Sequence, residues 1–142
     1  MGWVSTFWYC PQYPLEALTP SSDYHPVAIR ARPELRDNIA KYGMVNPLIV
    51  WNMEPSKWWG KEYIGTGNNR YYCLKELGWT HAPAVVQGEC LHEPKIEIPV
   101  NALPTYFRDG EPWIGDDGRL RMKGVCLPQR KEFPIGEPNG KS

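Results

Sequence analysis

No apolar run in the chain reaches the length of a membrane-spanning helix. The aromatic opening "MGWVSTFWYC" lacks the basic start and the long apolar stretch of a secretory signal. Net charge is also missing: 16 basic and 16 acidic side chains cancel. General attraction to nucleic acid or membrane is therefore not built into the chain, and any such attraction must come from a local patch. Cys10, Cys73, Cys90 and Cys126 form no CxxC pair and show no zinc-type spacing. They read as inert thiols of a cytoplasmic protein. His81 and His92 stand too far apart to suggest a metal site, and none is expected. No repeat and no low-complexity tract interrupts the text.

Proline, glycine and large aromatics are plentiful: 15 Pro, 13 Gly, seven Trp and eight Tyr in 142 residues. The length suits one domain with a real core. The prolines and glycines imply short elements and much irregular connection. A first strand is expected over residues 3–9, ended by Pro11 and Pro14. "PLEAL" reads as a short strand or turn. "RPELRDNIAKYG" reads as a helix, with Pro33 in the first turn, Leu35 and Ile39 on one stripe, and Gly43 as the stop. "PLIVWN" is a continuous apolar run rich in strand formers, hence a buried strand. "MEPSKWWGKE" is a loop whose Trp58 and Trp59 could stack bases or fold back over the core. "YIGTG" is a strand, "NNRYYCLKELG" a helix of about two and a half turns, and "HAPAVVQ" a further strand. Helix, strand, strand, helix, strand is an α/β or α+β order.

The turn between strand and helix, "GTGNNR", carries more than a connection needs. It is neither GxGxxG nor GxxxxGK[ST], but its physics is close to theirs. Gly65 and Gly67 allow positive φ and close backbone approach. Asn68 or Asn69 can cap the helix that follows. That helix would point its N–H groups and positive dipole end at the loop, and Arg70 would add a bidentate phosphate partner. The same residues also describe a plain capped helix start with two turn glycines and a surface arginine. Both readings stay open on the residues alone.

"IAKYGMVNPLIVW", a variable loop, and "YIGTGNNRYYCLKELGWTHAPAVV" together resemble the ParB N-terminal domain, part of the larger ParB/sulfiredoxin fold group. Gly43, Pro47, Leu48 and Val50 match the first part of that pattern. Gly67, Arg70, Cys73, Gly78, Pro83 and Val85 match the second. Upstream, "LEALTPSSDYHP" resembles the family's Leu-x-Pro-Asn segment, so the resemblance covers residues 15–86, half the chain. It implies a small mixed sheet with flanking helices and a nucleotide site at the box. ParB proteins bind and hydrolyse CTP there, sulfiredoxins use ATP, and a related family phosphorylates free serine with ADP. Carried onto this chain, the ligand-binding residues are Gly65, Thr66, Gly67, Asn68, Asn69 and Arg70, with Asn46 and Pro47 lining the same end. CTP or ATP with Mg²⁺ is the implied cofactor, and a nucleotide or phosphorylated small molecule the implied partner.

The departures from the pattern bear on chemistry. The box Glu is Asn68 and the first box Arg is Asn69. Sulfiredoxin carries its catalytic Cys at the position of Asn68, so that reaction is excluded. Pro26-Val27 stands where ParB has Pro-Arg. Asn cannot act as a general base, so binding survives these substitutions better than nucleotide hydrolysis or kinase-type phosphoryl transfer. Asp23, His25 and Glu62 are the remaining candidates for acid, base or metal groups, and each also reads as a surface side chain. ParB continues into a helix-turn-helix region, but no amphipathic helix pair follows Val86 here. The resemblance is thus to a stand-alone ParB-like domain of the kind found in phages and mobile elements. The expected division is a core over residues 1–87, a β-rich extension over 88–133 and a flexible tail over 134–142.

Within the extension, "EPWIGDDGRLRMKGV" reads as a hairpin turning at Asp116-Asp117-Gly118. Arg119, Arg121 and Lys123 share one strand face, and Leu120 and Met122 the other. Three cations on one face could contact a nucleic-acid backbone without reading sequence. They could equally form a solvated face balanced by Asp109, Glu111, Asp116 and Asp117. A DNA-associated accessory protein with a vestigial nucleotide pocket is the alternative function.

Overall fold

The computed structural model describes residues 6–20, 33–53, 62–107 and 110–123. The calls on Trp58, Trp59, Asp23, His25, Pro26, Val27, Cys126 and the terminal tail lie outside these residues. The architecture is α/β. A six-stranded mixed sheet has the order β2-β4-β3-β5-β1-β6, and a separate two-stranded hairpin joins β7 to β8. The strands are β1 (Phe7–Pro14), β2 (Leu18–Pro20), β3 (Leu48–Asn52), β4 (Glu62–Thr66), β5 (His81–Gly88), β6 (Ile96–Ile98), β7 (Glu111–Ile114) and β8 (Leu120–Lys123). Among the described residues two α-helices, α1 (Pro33–Tyr42) and α2 (Asn68–Glu76), alternate with β3, β4 and β5. Single 3-10 segments occupy Leu15–Ala17 and Val100–Tyr106. Among the described residues no helix is long and apolar enough to cross a membrane.

The central strands are apolar on both faces because both faces are covered. All five residues of β3 are buried. Leu48 and Val50 join a core with Leu35 and Ile39 of α1 and Tyr71, Cys73 and Leu74 of α2. Ile49 and Trp51 point the other way, into a second core with Phe7, Val85, Ile98, Leu103, Phe107, Leu120 and Met122. This two-sided burial turns the period-2 alternation of a strand into a continuous apolar run. Each fully buried aliphatic side chain contributes about 1.5–3 kcal/mol.

The helix boundaries follow local chemistry. Pro33 opens α1, and Gly43 closes it at φ 81 while its N–H bonds Ile39 O at 2.8 Å. Gly78, at φ 84, follows α2. The first strand is a correction: β1 runs through Pro11 to Pro14 instead of ending there. Its pairing with β5 skips from Cys10↔Ala84 to Tyr13↔Ala82, an irregularity that leaves Pro11 and Pro83 out of register. A bulge removes the demand for ladder N–H groups, so both prolines are tolerated.

The chain beyond residue 88 is tied to the main sheet. Strand β6 pairs antiparallel with β1. Buried Gln87 on β5 donates to Gly118 O at 2.6 Å and accepts from Leu120 N at 2.6 Å, holding the β7–β8 hairpin at its turn. Leu120 and Met122 are buried against the second core, as the alternation in "RLRMKG" predicts.

Candidate functional site

Strand β4 delivers the chain to the N-terminus of α2 through a left-handed residue. Gly67 has φ 111 and ψ 23, and it is the N-cap. Its carbonyl accepts the first helical bond, from Tyr71 N at 2.8 Å. A Cβ there would lie 2.7 Å from Leu48 Cδ2 and 3.1 Å from Arg70 Nη2. Dihedral and space both demand glycine. Asn68 and Asn69, expected as alternative caps, are instead the first two helical residues, and the N-cap glycine has no side chain to cap the helix. The cap position fell to Gly67 because the left-handed conformation lies there.

Gly65 differs from the expectation of positive φ; among the described glycines that property belongs to Gly43, Gly67, Gly78, Gly88 and Gly118. Gly65 serves close approach alone, since a Cβ would lie 2.2 Å from Trp51 Cε2. Thr66 ends β4 opposite Ile49.

Arg70 is not a surface arginine. It is only 5% exposed. Its Nη1 donates to Asn46 O at 2.6 Å and to Pro47 O at 3.1 Å. The structure therefore brings Gly67, Arg70, Asn46 and Pro47 together at the start of β3, and the guanidinium stitches the helix start to that loop. The Asn69 side-chain oxygen is buried with no hydrogen-bond partner among the described residues. The arrangement offers a helix N-terminus capped by a glycine, a fixed cation behind it, and one acceptor unused among the described residues.

Two of the hairpin cations, Arg119 and Arg121, gather at Trp51, on the face of β3 that joins the second core. The Arg119 and Arg121 guanidinium carbons lie 4.7 and 5.2 Å from the Trp51 ring centroid. Trp51 Nε1 donates to Leu120 O between them at 3.0 Å. Arg121 also pairs with Asp117 at 2.6 Å. The Arg119 backbone N–H and the Arg121 side chain both hold the Asp117 carboxyl below its usual range. The backbone of Lys123 pairs with Glu111. One indole thus contacts both Gly65 and two cations.

A group of ionisable residues that the sequence did not reveal lies at the opposite end of β4. Tyr13 donates its hydroxyl to Glu62 Oε1, and His92 Nε2 lies 2.9 Å from the same oxygen. The Tyr13 and His92 rings meet edge-on at 4.7 Å. Burial, then the Glu62 carboxylate, pushes the Tyr13 phenol well above its ordinary range. Glu62 reads from the sequence both as a candidate acid, base or metal group and as a surface side chain; its side chain is only 15% exposed. No local pattern signals this cluster, because its members are 30 and 49 residues apart. Among the described residues no group of three His, Cys, Asp or Glu could hold a metal ion.

No family model and no curated protein matches the chain. Among solved structures it is similar to sulfiredoxin from Arabidopsis thaliana, with 22% identity and a TM-score of 0.42 over 55% of this chain and 83% of that one. It is similar too to the C-terminally truncated chromosome-partitioning protein ParB from Caulobacter crescentus complexed with CTP-gamma-S, with 22% identity and a TM-score of 0.44. That similarity covers 56% of this chain and 44% of the ParB chain, so less than half of the ParB structure is spanned.

Proposed function

We propose that the protein binds a nucleotide or another phosphorylated small ligand at the turn formed by residues 65–70. The observation that carries this reading is the start of α2: a left-handed glycine cap, with Arg70 fixed directly behind it. Backbone N–H groups and the dipole of a helix N-terminus favour an anion, and a nearby guanidinium adds charge without having to be ordered on binding. The acceptor of Asn69 suits a ligand that also brings a hydroxyl or amino donor, as a nucleoside does. CTP and ATP are the first ligands to try. Mg²⁺ would be held by their phosphates, since the turn supplies no carboxylate. Asn68 and Asn69 cannot take a proton from a water or an acceptor hydroxyl, so the reading is binding first. Nucleotide hydrolysis or phosphoryl transfer would need a base from elsewhere.

A thermal-shift titration over nucleotides, with and without Mg²⁺, tests the proposal. Ligand at a hundredfold over its dissociation constant should stabilise the fold by about 2.7 kcal/mol. No shift with any nucleotide or with inorganic phosphate and pyrophosphate defeats it. A second reading rests on the exposed Arg119 beside Trp51: a DNA-associated accessory protein of a phage or mobile element whose pocket no longer binds nucleotide. Salt-sensitive DNA binding without any nucleotide shift would favour that reading.

A further inference from the structure

One indole joins the β7–β8 hairpin to the turn at residues 65–70. Trp51 Nε1 lies 2.5 Å from the point where a Gly65 Cβ would stand, and it donates to Leu120 O at 3.0 Å. Strand β8 packs against β4, and Arg119, the residue just before β8, is carried to the same place. The Arg119 guanidinium carbon lies 4.7 Å from the Trp51 ring centroid. Thr66 stands directly opposite Ile49 in the ladder, so it shares the strand face that Ile49 turns toward the second core and the hairpin.

The two hairpin arginines at Trp51 differ in what they hold. Arg121 is paired with Asp117 at 2.6 Å. Arg119 is exposed, and its side chain makes no ion pair and no hydrogen bond among the described residues. A guanidinium held at an aromatic ring keeps N–H donors available for an anion. The Asp117 carboxylate beside it already accepts from the Arg119 backbone N–H at 3.1 Å and from Arg121.

We propose that Arg119 is a second cation of the ligand site, and that the ligand carries at least two linked phosphates, as a nucleoside di- or triphosphate does. This deepens the reading of residues 65–70 as a phosphate site and rests on it. The N–H groups at the start of α2, backed by Arg70, suit one phosphate. Arg70 Nη1 is buried and committed to the carbonyls of Asn46 and Pro47, so it acts there as a fixed charge. A second phosphate extends past the helix end, and on the Thr66 side Arg119 meets it with a charge-assisted, bidentate contact. Trp51 is the positioning residue. It holds Arg119 by its ring and abuts the backbone of Gly65, where no Cβ fits. Arg119 lies beyond residues 15–86, in the part of the chain that the fold-group resemblance does not cover.

The test is isothermal titration calorimetry on the full chain, comparing wild type, Arg119→Gln and Arg121→Gln. The ligands are orthophosphate, pyrophosphate, CMP, CTP, AMP and ATP, and circular dichroism checks that each variant is folded. Arg119→Gln should weaken pyrophosphate and the triphosphates roughly ten- to a hundredfold. It should leave orthophosphate and the monophosphates within about twofold of wild type. Arg121→Gln removes a cation already paired with Asp117, so it should change every affinity by less than about threefold. Equal pyrophosphate and triphosphate affinities in wild type and Arg119→Gln would overturn the inference and leave the turn as the site. An equal loss in both arginine variants, or an equal loss for one phosphate and for several, would overturn it too. Wild type that binds none of the six would defeat the reading of the turn and this inference together.

Discussion

The Arg70 guanidinium donates a 2.6 Å hydrogen bond to the Asn46 carbonyl, tying the first turn of α2 to the residues just before β3. The same Nη1 also reaches Pro47 O at 3.1 Å. Arg70→Ala would leave buried carbonyls without this donor. It should destabilise the fold by about 2–4 kcal/mol, since charged hydrogen bonds contribute more than neutral ones and buried acceptors left unmade are costly. Arg70→Lys, which keeps a cation but not the fork, should recover only part of that loss. Urea unfolding of the three proteins measures it. If the turn binds phosphate, ligand affinity measured where Arg70→Ala is still folded should fall roughly ten- to a hundredfold. Equal affinities would remove Arg70 from the site.

Gly65 and Trp51 should be energetically coupled. A methyl at Gly65 would stand 2.2 Å from Trp51 Cε2, so the indole or the strand must move. Gly65→Ala should cost about 1–3 kcal/mol by overpacking. In a Trp51→Phe background the added methyl should cost less, giving a coupling of at least about 0.5 kcal/mol. Denaturant titrations of the four proteins complete the cycle, and strict additivity would contradict the contact.

Tyr13 should make stability fall at high pH. Its phenol is raised above the ordinary range in the fold by burial and by Glu62. An unfolded tyrosine ionises near ~10. Below that pH both states keep the proton and the stabilisation is complete. Above it the unfolded chain binds fewer protons, and stability declines by ~1.4 kcal/mol per pH unit from this group alone. Tyr13→Phe lacks the titrating hydroxyl, so the wild type's advantage over it should shrink between about pH 9 and 11. A difference that stays constant across that window would show that Tyr13 ionises normally.

Changing Arg119, Arg121 and Lys123 together to Gln should flatten the salt dependence of any DNA or RNA binding. The expected reduction is up to about three charges' worth, roughly 0.9 per cation in the log–log slope. Fluorescence anisotropy across a salt series reads this directly. An unchanged slope would place the contact surface elsewhere. No preference for a defined duplex sequence is expected, because phosphate contacts carry no base information.

Local chemistry was legible where one residue settles a conformation or one period a face. Pro33, Gly43 and Gly78 bound their helices as read. "PLIVWN" declared a strand covered on both sides, and "RLRMKG" declared which side of the hairpin is buried. Gly67 was recognisable as the turn residue of the candidate site. The resemblance over residues 15–86 named a fold group that local patterns could not. What stayed hidden depends on which distant segments meet. Pro11 reads as a strand breaker until the bulge opposite β5 removes its duty to donate. Arg70 reads as a surface cation until the carbonyls of Asn46 and Pro47, more than 20 residues earlier, close around it. Tyr13, Glu62 and His92 share no spacing that periodicity could detect. Sequence patterns report how each segment divides its own faces between water and core. The meeting of two polar groups from separate segments is decided by sheet order and register, set by the sum of packing across the whole domain.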